Sequence, residues 1–202
     1  MALFLRTTMF KKSITKEELE GITAGHYEGK IVVIDQREQI AEAMNIVRQC
    51  AVCGFDTESL PSFRKGEMHG VALLQIAAED VVFLIRLNKT GITSDIVRFF
   101  EDPKICKVGI ALNDDMQRLN KLHRIVSKNA VDLNEYCPKL GFENIGAKKL
   151  TAMILGFRIS KNQQTSNWET STLSYAQQIY AATDAWICRE IYLKLTDNEQ
   201  EI

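Results

Sequence analysis

The sequence predicts an α/β domain, a mixed central β-sheet flanked by helices on both faces. Two observations carry this. Val71-Ala72-Leu73-Leu74-Gln75-Ile76 and Val81-Val82-Phe83-Leu84-Ile85 are near-continuous apolar runs separated by only four residues, including Glu79-Asp80, as in an antiparallel hairpin buried on both faces. From Lys104 onward, short apolar strands alternate with helix-compatible runs, the pattern of strands joined by helical crossovers. At 202 residues, 46% hydrophobic and 25% charged, the chain suffices for one domain with a sizeable core, without repeats, low-complexity tracts or linkers.

Residues 1–28 read as an N-terminal arm and 29–198 as the domain. The first ten residues are apolar but too short to span a bilayer, and Lys11-Lys12 follows without a small-residue cleavage pattern. Hydroxyls ahead of glutamates in Ser13 to Leu19 suggest a short helix start, punctuated by Gly21 and Gly25. Ile31 to Ile34 is a β-branched strand, and Asp35 with Glu38 has the spacing of a capping box. The helix it would open carries Ile40, Ala43, Met44, Val47 and Cys50 on one face, against a polar face of Glu42, Asn45, Arg48 and Gln49.

A buried strand, Val52-Cys53-Gly54-Phe55, leads into Asp56-Thr57-Glu58 and a loop from Ser59 to Gly70. Beyond the hairpin, Ser94 can cap a short helix that stops before Pro103, and Lys104 to Ile110 is the next strand. A helix over about Asn113 to His123, a strand at Ala130 to Leu133 and a helix over Asn144 to Leu155, ended by Gly156, come next. Ser174 and Gln177 form a capping box for a last helix running to about Leu195.

A formal net charge of -1 supplies no overall basic field, so contact with nucleic acid has to come from a local patch. The five cysteines are odd in number and scattered, which argues for reduced thiols in a cytoplasmic compartment and against a disulfide framework. Cys50-Ala51-Val52-Cys53 lies where a helix hands over to a strand, whereas a redox pair usually opens a helix, and a zinc site needs a second pair. Two core cysteines is the better reading. His26, His69 and His123 have no paired ligand spacing.

The chemistry centres on Asp56 and Glu58. Residues i and i+2 of a strand share a face, so both carboxylates point the same way and either repel or share a hard divalent cation. The plainer alternative is that Asp56 ends the strand and Glu58 is solvated. Asp114 and Asp115 open a helix at the carboxyl edge of the sheet, where α/β proteins build sites, but both are also favourable neighbours of a helix N-terminus. Asp115 shares its face with Leu119, while Asp114 stands above Arg118. Tyr180 and Asp184 lie four apart on the last helix, with small Ala181 and Ala182 between them allowing close approach to the sheet. A tyrosine bonding an ordinary helix aspartate would look the same. After Glu58, the interleaved Phe63, Arg64 and Lys65 suit a terminal nucleotide, or a solvated loop with one buried ring. Lys148, Lys149, Arg158 and Lys161 form a possible basic rim.

The early Asp-x-Glu, an aspartate six residues past Gly109 and the late Tyr-x-x-x-Asp resemble the three exonuclease motifs of the DEDD superfamily of 3'-5' exonucleases, tyrosine branch. Ser166-Asn167-Trp168 and Tyr180 to Ala185 resemble the ribonuclease D and Werner-syndrome exonuclease families, over about Ile31 to Leu195. The resemblance implies a ribonuclease-H-like fold and two divalent cations, Mg²⁺ or Mn²⁺. Asp56, Glu58, Asp115 and Asp184 are the implied ligands, and Tyr180 stands beside the attacking water. It also implies a nucleic-acid substrate with a free 3' end, shortened by release of 5'-mononucleotides. The helical accessory domains and the helicase that accompany those families do not occur in this sequence. Two other readings compete: a noncatalytic nucleic-acid-binding module on the same fold, and a thiol oxidoreductase using Cys50 and Cys53.

Overall fold

The computed structural model describes residues 10–61 and 69–200. Six strands are present: β1 (Lys30–Ile34), β2 (Val52–Ser59), β3 (Val71–Ala77), β4 (Val81–Ile85), β5 (Cys106–Gly109) and β6 (Ala130–Asp132). They form one mixed sheet in the order β1-β4-β3-β2-β5-β6. β3 is antiparallel to β2 and β4, and the remaining pairs are parallel. All residues of β3 and β4 are buried, as their unbroken apolar runs require.

The helices are α1 (Lys16–Gly21), α2 (Ile40–Val47), α3 (Leu87–Thr90), α4 (Ser94–Glu101), α5 (Leu112–Leu122), α6 (Leu133–Lys139), α7 (Ala147–Leu150) and α8 (Tyr175–Gln200). Alternation along β2 sorts its side chains between two layers. Cys53 and Phe55 enter the core made with Met44 of α2, Phe99 and Phe100 of α4 and Leu119 of α5. Gly54 faces the other way, against α8. A Cβ there would collide with the Ala185 carbonyl oxygen and stand 2.9 Å from the Arg189 amide nitrogen, so glycine permits the helix backbone to lie on the strand. The fold is a ribonuclease-H-like α/β sheet with helices on both faces.

The arm packs where it is described. Thr15 and Glu18 form a capping box for α1, and Ile14 and Leu19 pack with Ala152. The Tyr27 amide donates to the Thr183 hydroxyl of α8 at 3.0 Å.

Several boundaries differ from those read in the sequence. Gln36 and Gln39, not Asp35 and Glu38, form the capping box, because the chain first makes a 3₁₀ turn, Arg37–Gln39, and leaves Asp35 to meet Lys89 at 3.4 Å. Thr93, not Ser94, caps α4. The predicted helix over Asn144 to Leu155 starts at Ala147 and finishes in a π-helical turn, Thr151–Leu155, closed by Gly156 at φ 79°. α6 has no counterpart in the sequence reading. It is capped by Asp132 and carries Pro138 within it, and a proline marks the end of a helix in a local reading.

Candidate active site

β2 is the strand on which the site is built. It pairs with β3 from Gly54 to Ser59 but with β5 only from Val52 to Gly54, so its carboxyl half has a free edge toward β5. The register shifts between Glu58 and Ser59, a bulge of the kind that re-aims side chains at the end of a ladder. Asp56 and Glu58 follow Gly54 at alternate positions and therefore face α8.

α8 brings the third carboxylate. Ala181, Ala182 and Ala185 are fully buried against the sheet, and their small size sets Asp184 over the end of β2. One ligand oxygen each from Asp56, Glu58 and Asp184 lies within 4.8 Å of the others, and the three residues are half-buried. They open into a cavity of about 240 Å³ that Tyr180, Lys161 and Gln164 also line.

Asp115 arrives from the opposite face of the sheet. α5 packs with the α2 and α4 layer through Leu112 and Leu119, and its first turn reaches the free edge of β2. Asp115 is buried and accepts a hydrogen bond from the Thr57 hydroxyl, whereas Asp114 is exposed. It stands outside the tight triad, yet near enough that its charge helps push the Asp56 carboxyl up. The turn before α5 needs Ala111 in the left-handed region at φ 62°. Asp132 holds that turn by accepting from the Ala111 amide at 3.1 Å and the Leu112 amide at 2.8 Å, as well as from Asn134 at 2.9 Å. Neither Asp132 nor Thr57 was singled out in the sequence. The only local signal for Asp132 is its position at the end of a strand, where an aspartate suits a helix N-cap.

Burial shifts all four carboxyls upward, and like charges add to it at Asp56, Glu58 and Asp115. Burial and the neighbouring Asp115, Asp184 and Glu58 raise Asp56 well above the ordinary range. Burial, Asp184 and Asp115 push Glu58 up to about 9. Burial raises Asp184 to about 7 against the opposing hydrogen bond from Tyr180 and the charge of Lys161. Burial raises Asp115 to about 6, with the Thr57 hydrogen bond and Arg118 working the other way. The Tyr180 hydroxyl is raised too, first by burial and then by the charges of Asp184 and Glu58, so it keeps its proton at neutral pH. An oxygen-only set of carboxylates that repel one another fits a hard divalent cation. The one thiol at the cavity, Cys188, turns its Sγ to the Asp184 carbonyl at 3.1 Å and is not a competing soft ligand.

The Ser166-Asn167-Trp168 element supports this end of α8. Gln177 donates from Nε2 to the Ser166 hydroxyl at 2.9 Å and to the Asn167 carbonyl at 3.0 Å. Its Oε1 accepts from the Ser174 amide at 2.9 Å, completing the capping box. Trp168 is fully buried with its ring 6.0 Å from that of Tyr180. Arg86 clamps the same segment by donating to the carbonyls of Ser171, at 3.0 Å, and Thr170. Phe63, Arg64 and Lys65 lie outside the described residues. Lys161 stands at the cavity, while Lys148, Lys149 and Arg158 are not among its lining. Cys50 and Cys53 are free thiols, half-buried and buried.

A mixed sheet with a carboxylate cluster at the end of its central strand, completed by one long helix, defines an α/β domain of the ribonuclease-H-like class. The chain belongs to the 3'-5' exonuclease family, whose model matches residues 31–199. It is 32% identical over 158 residues to exonuclease 3'-5' domain-containing protein 2 of Drosophila melanogaster, covering 76% of this chain and 27% of that protein. The chain thus spans about a quarter of the length of that relative. The EXO domain of Nibbler from Aedes aegypti superimposes with a TM-score of 0.80 at 19% identity, covering 88% of this chain and 94% of the other. RNase D of Escherichia coli, an exoribonuclease involved in structured RNA processing, gives a TM-score of 0.77 at 20% identity, with 85% and 46% covered. At those identities the two structures show the shared fold. Among the described residues no helix is long and apolar enough to cross a membrane.

Proposed function

We propose that this chain is a metal-dependent 3'-5' exonuclease of the tyrosine branch, removing 5'-mononucleotides one at a time from the 3' end of DNA or RNA. The observation that carries the reading is the triad of Asp56, Glu58 and Asp184, whose ligand oxygens lie within 4.8 Å of one another beside one cavity. In the reaction a water oxygen bonds to the terminal phosphorus, the bond from phosphorus to the preceding 3' oxygen breaks, and that oxygen takes a proton.

Asp56, Glu58 and Asp184 would hold one divalent cation, Mg²⁺ or Mn²⁺, and Asp56 with Asp115 a second. When bound, the pair supplies positive charge that stabilises the entering and leaving oxygens of an in-line displacement. Tyr180 keeps its proton, so its part is to orient the attacking water through a hydrogen bond and not to act as a base. Lys161 and Gln164, at the cavity wall, are placed to meet phosphate and sugar oxygens. Phe63, Arg64 and Lys65 would grip the terminal nucleotide by stacking and charge. In this reading the exonuclease domain is residues 29–198 and residues 1–28 are an N-terminal arm. Five free cysteines support a cytoplasmic location. A nucleic-acid substrate is supported by family membership, and RNA by the structural likeness to an RNase D of Trypanosoma brucei solved with RNA U12 (TM-score 0.72, 18% identity).

A 5'-labelled oligonucleotide incubated with the protein and Mn²⁺ should shorten from its 3' end and yield mononucleotides, and EDTA should stop it. Retention of the oligonucleotide without shortening would favour the noncatalytic module instead. Parallel reactions on single-stranded DNA, recessed duplex and structured RNA would establish the substrate.

A further inference from the structure

Opposite Asp56, across the β2–β3 ladder, stands Gln75. Its neighbours on β3 are Leu73, opposite Glu58, and Ala77, opposite Gly54. Leu73 and Ala77 pack with Ala181, Ala182 and Ala185 of α8, so Gln75, between them at alternate positions, faces the same layer as Asp56. On its other side it pairs with Leu84 of β4, which joins the same cluster as Trp168.

Gln75 is fully buried, and among the described residues neither its Oε1 nor its Nε2 has a hydrogen-bond partner. The Trp168 indole Nε1 is in the same condition in the same layer. Buried amides and indoles are rarely left unpaired, and an aliphatic residue would fill this position as Leu73 and Ala77 fill theirs. Directly opposed side chains in an antiparallel pair start with Cβ atoms about 5 Å apart, which brings the amide of a glutamine within reach of a facing aspartate.

We propose that Gln75 is the positioning residue for Asp56. Its Nε2, which reaches no protein acceptor on its own, donates through one buried water to the Asp56 carboxylate from the sheet side and holds that carboxylate toward Glu58 and Asp184 for the divalent cation. Its Oε1 is left to accept through water from the Trp168 Nε1–H, the other unpaired polar atom of that layer, which would fix the orientation of the amide. Trp168, already beneath Tyr180, would thereby support the carboxylates as well as the phenol. This assignment rests on the reading of Asp56 as a cation ligand.

The test is calorimetric titration of the whole 202-residue chain, free of metal, with Mn²⁺, alongside melting temperature and steady-state kinetics. Gln75→Met keeps the length of the side chain and deletes the amide. Its Mn²⁺ dissociation constant should rise roughly 10- to 100-fold while the metal-free melting temperature holds or increases. The KM for an oligonucleotide should stay within about twofold of wild type, and kcat should recover as Mn²⁺ is raised. Gln75→Asn, which withdraws the amide by one methylene, should show a smaller loss of the same kind, and it carries the test if the methionine variant does not fold. Wild-type Mn²⁺ affinity in the variant, or a fallen melting temperature with affinity intact, overturns the assignment and leaves Gln75 a packing residue. Failure of the wild-type protein itself to bind Mn²⁺ would overturn the cation-ligand reading of Asp56 and the role of Gln75 with it.

Discussion

Replacing Asp56 by asparagine keeps the size of the side chain and removes one ionisable carboxyl from the crowd at the end of β2. Ligand oxygens of Asp56, Glu58 and Asp184 lie within 4.8 Å of one another. Two unit charges about 5 Å apart repel by about 3 kcal/mol at an effective dielectric constant of about 20. Glu58, raised to about 9, keeps much of its proton at pH 8, and the Asp56 carboxyl is itself raised by burial and its neighbours, so only part of that repulsion is there to be relieved. A gain of about 1–2 kcal/mol for metal-free Asp56→Asn at pH 8 follows, or about 2–8 °C in melting temperature for a domain of this size. The dependence on pH has a definite sign. Glu58, Asp115 and Asp184 all have folded pKa values above their unfolded ones, so the stability linked to them is complete below about pH 4 and is lost as pH rises through about 6, 7 and 9.

Metal-free wild type should therefore melt lower at pH 8 than at pH 5, and the advantage of Asp56→Asn should be present at pH 8 and disappear at pH 5. Saturating Mn²⁺ should reverse the ranking if Asp56 is a ligand as proposed, since the cation would bind the ionised cluster of the wild-type folded state and would lose a ligand in the mutant. Scanning calorimetry of both proteins from pH 5 to 9, in EDTA and in Mn²⁺, reads all of these together. A metal-free Asp56→Asn protein that melts several degrees below wild type at pH 8 would refute the reasoning and make Asp56 a structural residue.

The neighbouring aspartates should part company in an activity assay: Asp115→Asn should lose several orders of magnitude in kcat, and Asp114→Asn, at an exposed position, about 0.3 kcal/mol of helix stability and little activity. A live Asp115→Asn beside a dead Asp114→Asn in the same Mn²⁺ titration would reverse the assignment. Tyr180→Phe preserves the ring over Trp168 and deletes the hydroxyl, so kcat should fall roughly 10- to 1,000-fold with KM nearly unchanged; single-turnover rates measure this, and an unaltered rate would confine Tyr180 to packing. Gly54→Ala should push α8 off β2, destabilising the domain by about 2–4 kcal/mol in urea unfolding and moving Asp184 away from its partners, and a mutant with wild-type midpoint would contradict the close contact at Ala185.

What could be read from the sequence was whatever depends on one segment at a time. Asp56 and Glu58 share a face because a strand repeats every two residues, and Tyr180 and Asp184 share one because a helix nearly repeats every four. Asp115 could be preferred to Asp114 because Leu119 shares its face, and Leu119 is fully buried. The residues that escaped are those whose part depends on pairings between distant segments. Asp132 braces the turn before α5 only because β6 lies beside β5, with Gly109 opposite it. Thr57 reaches Asp115 only because β5 stops pairing with β2 at Gly54 and leaves an edge for α5 to approach.

Gln75 shows the limit most sharply. Within Val71 to Ala77 it reads as one polar letter in a buried strand, and nothing local distinguishes a tolerated amide from a required one. Its opposition to Asp56 is a fact of register. A slip of one residue in the β2–β3 ladder would turn Gln75 to the Phe55 side and set Leu74 or Ile76 facing the carboxylates. The register is held by core side chains on both faces, with Phe55, Leu74 and Ile76 on one and Leu73 and Ala77 on the other. The packing that stabilises the sheet therefore also decides which side chain meets Asp56, and substitutions that loosen this ladder should disturb cation binding before they unfold the domain.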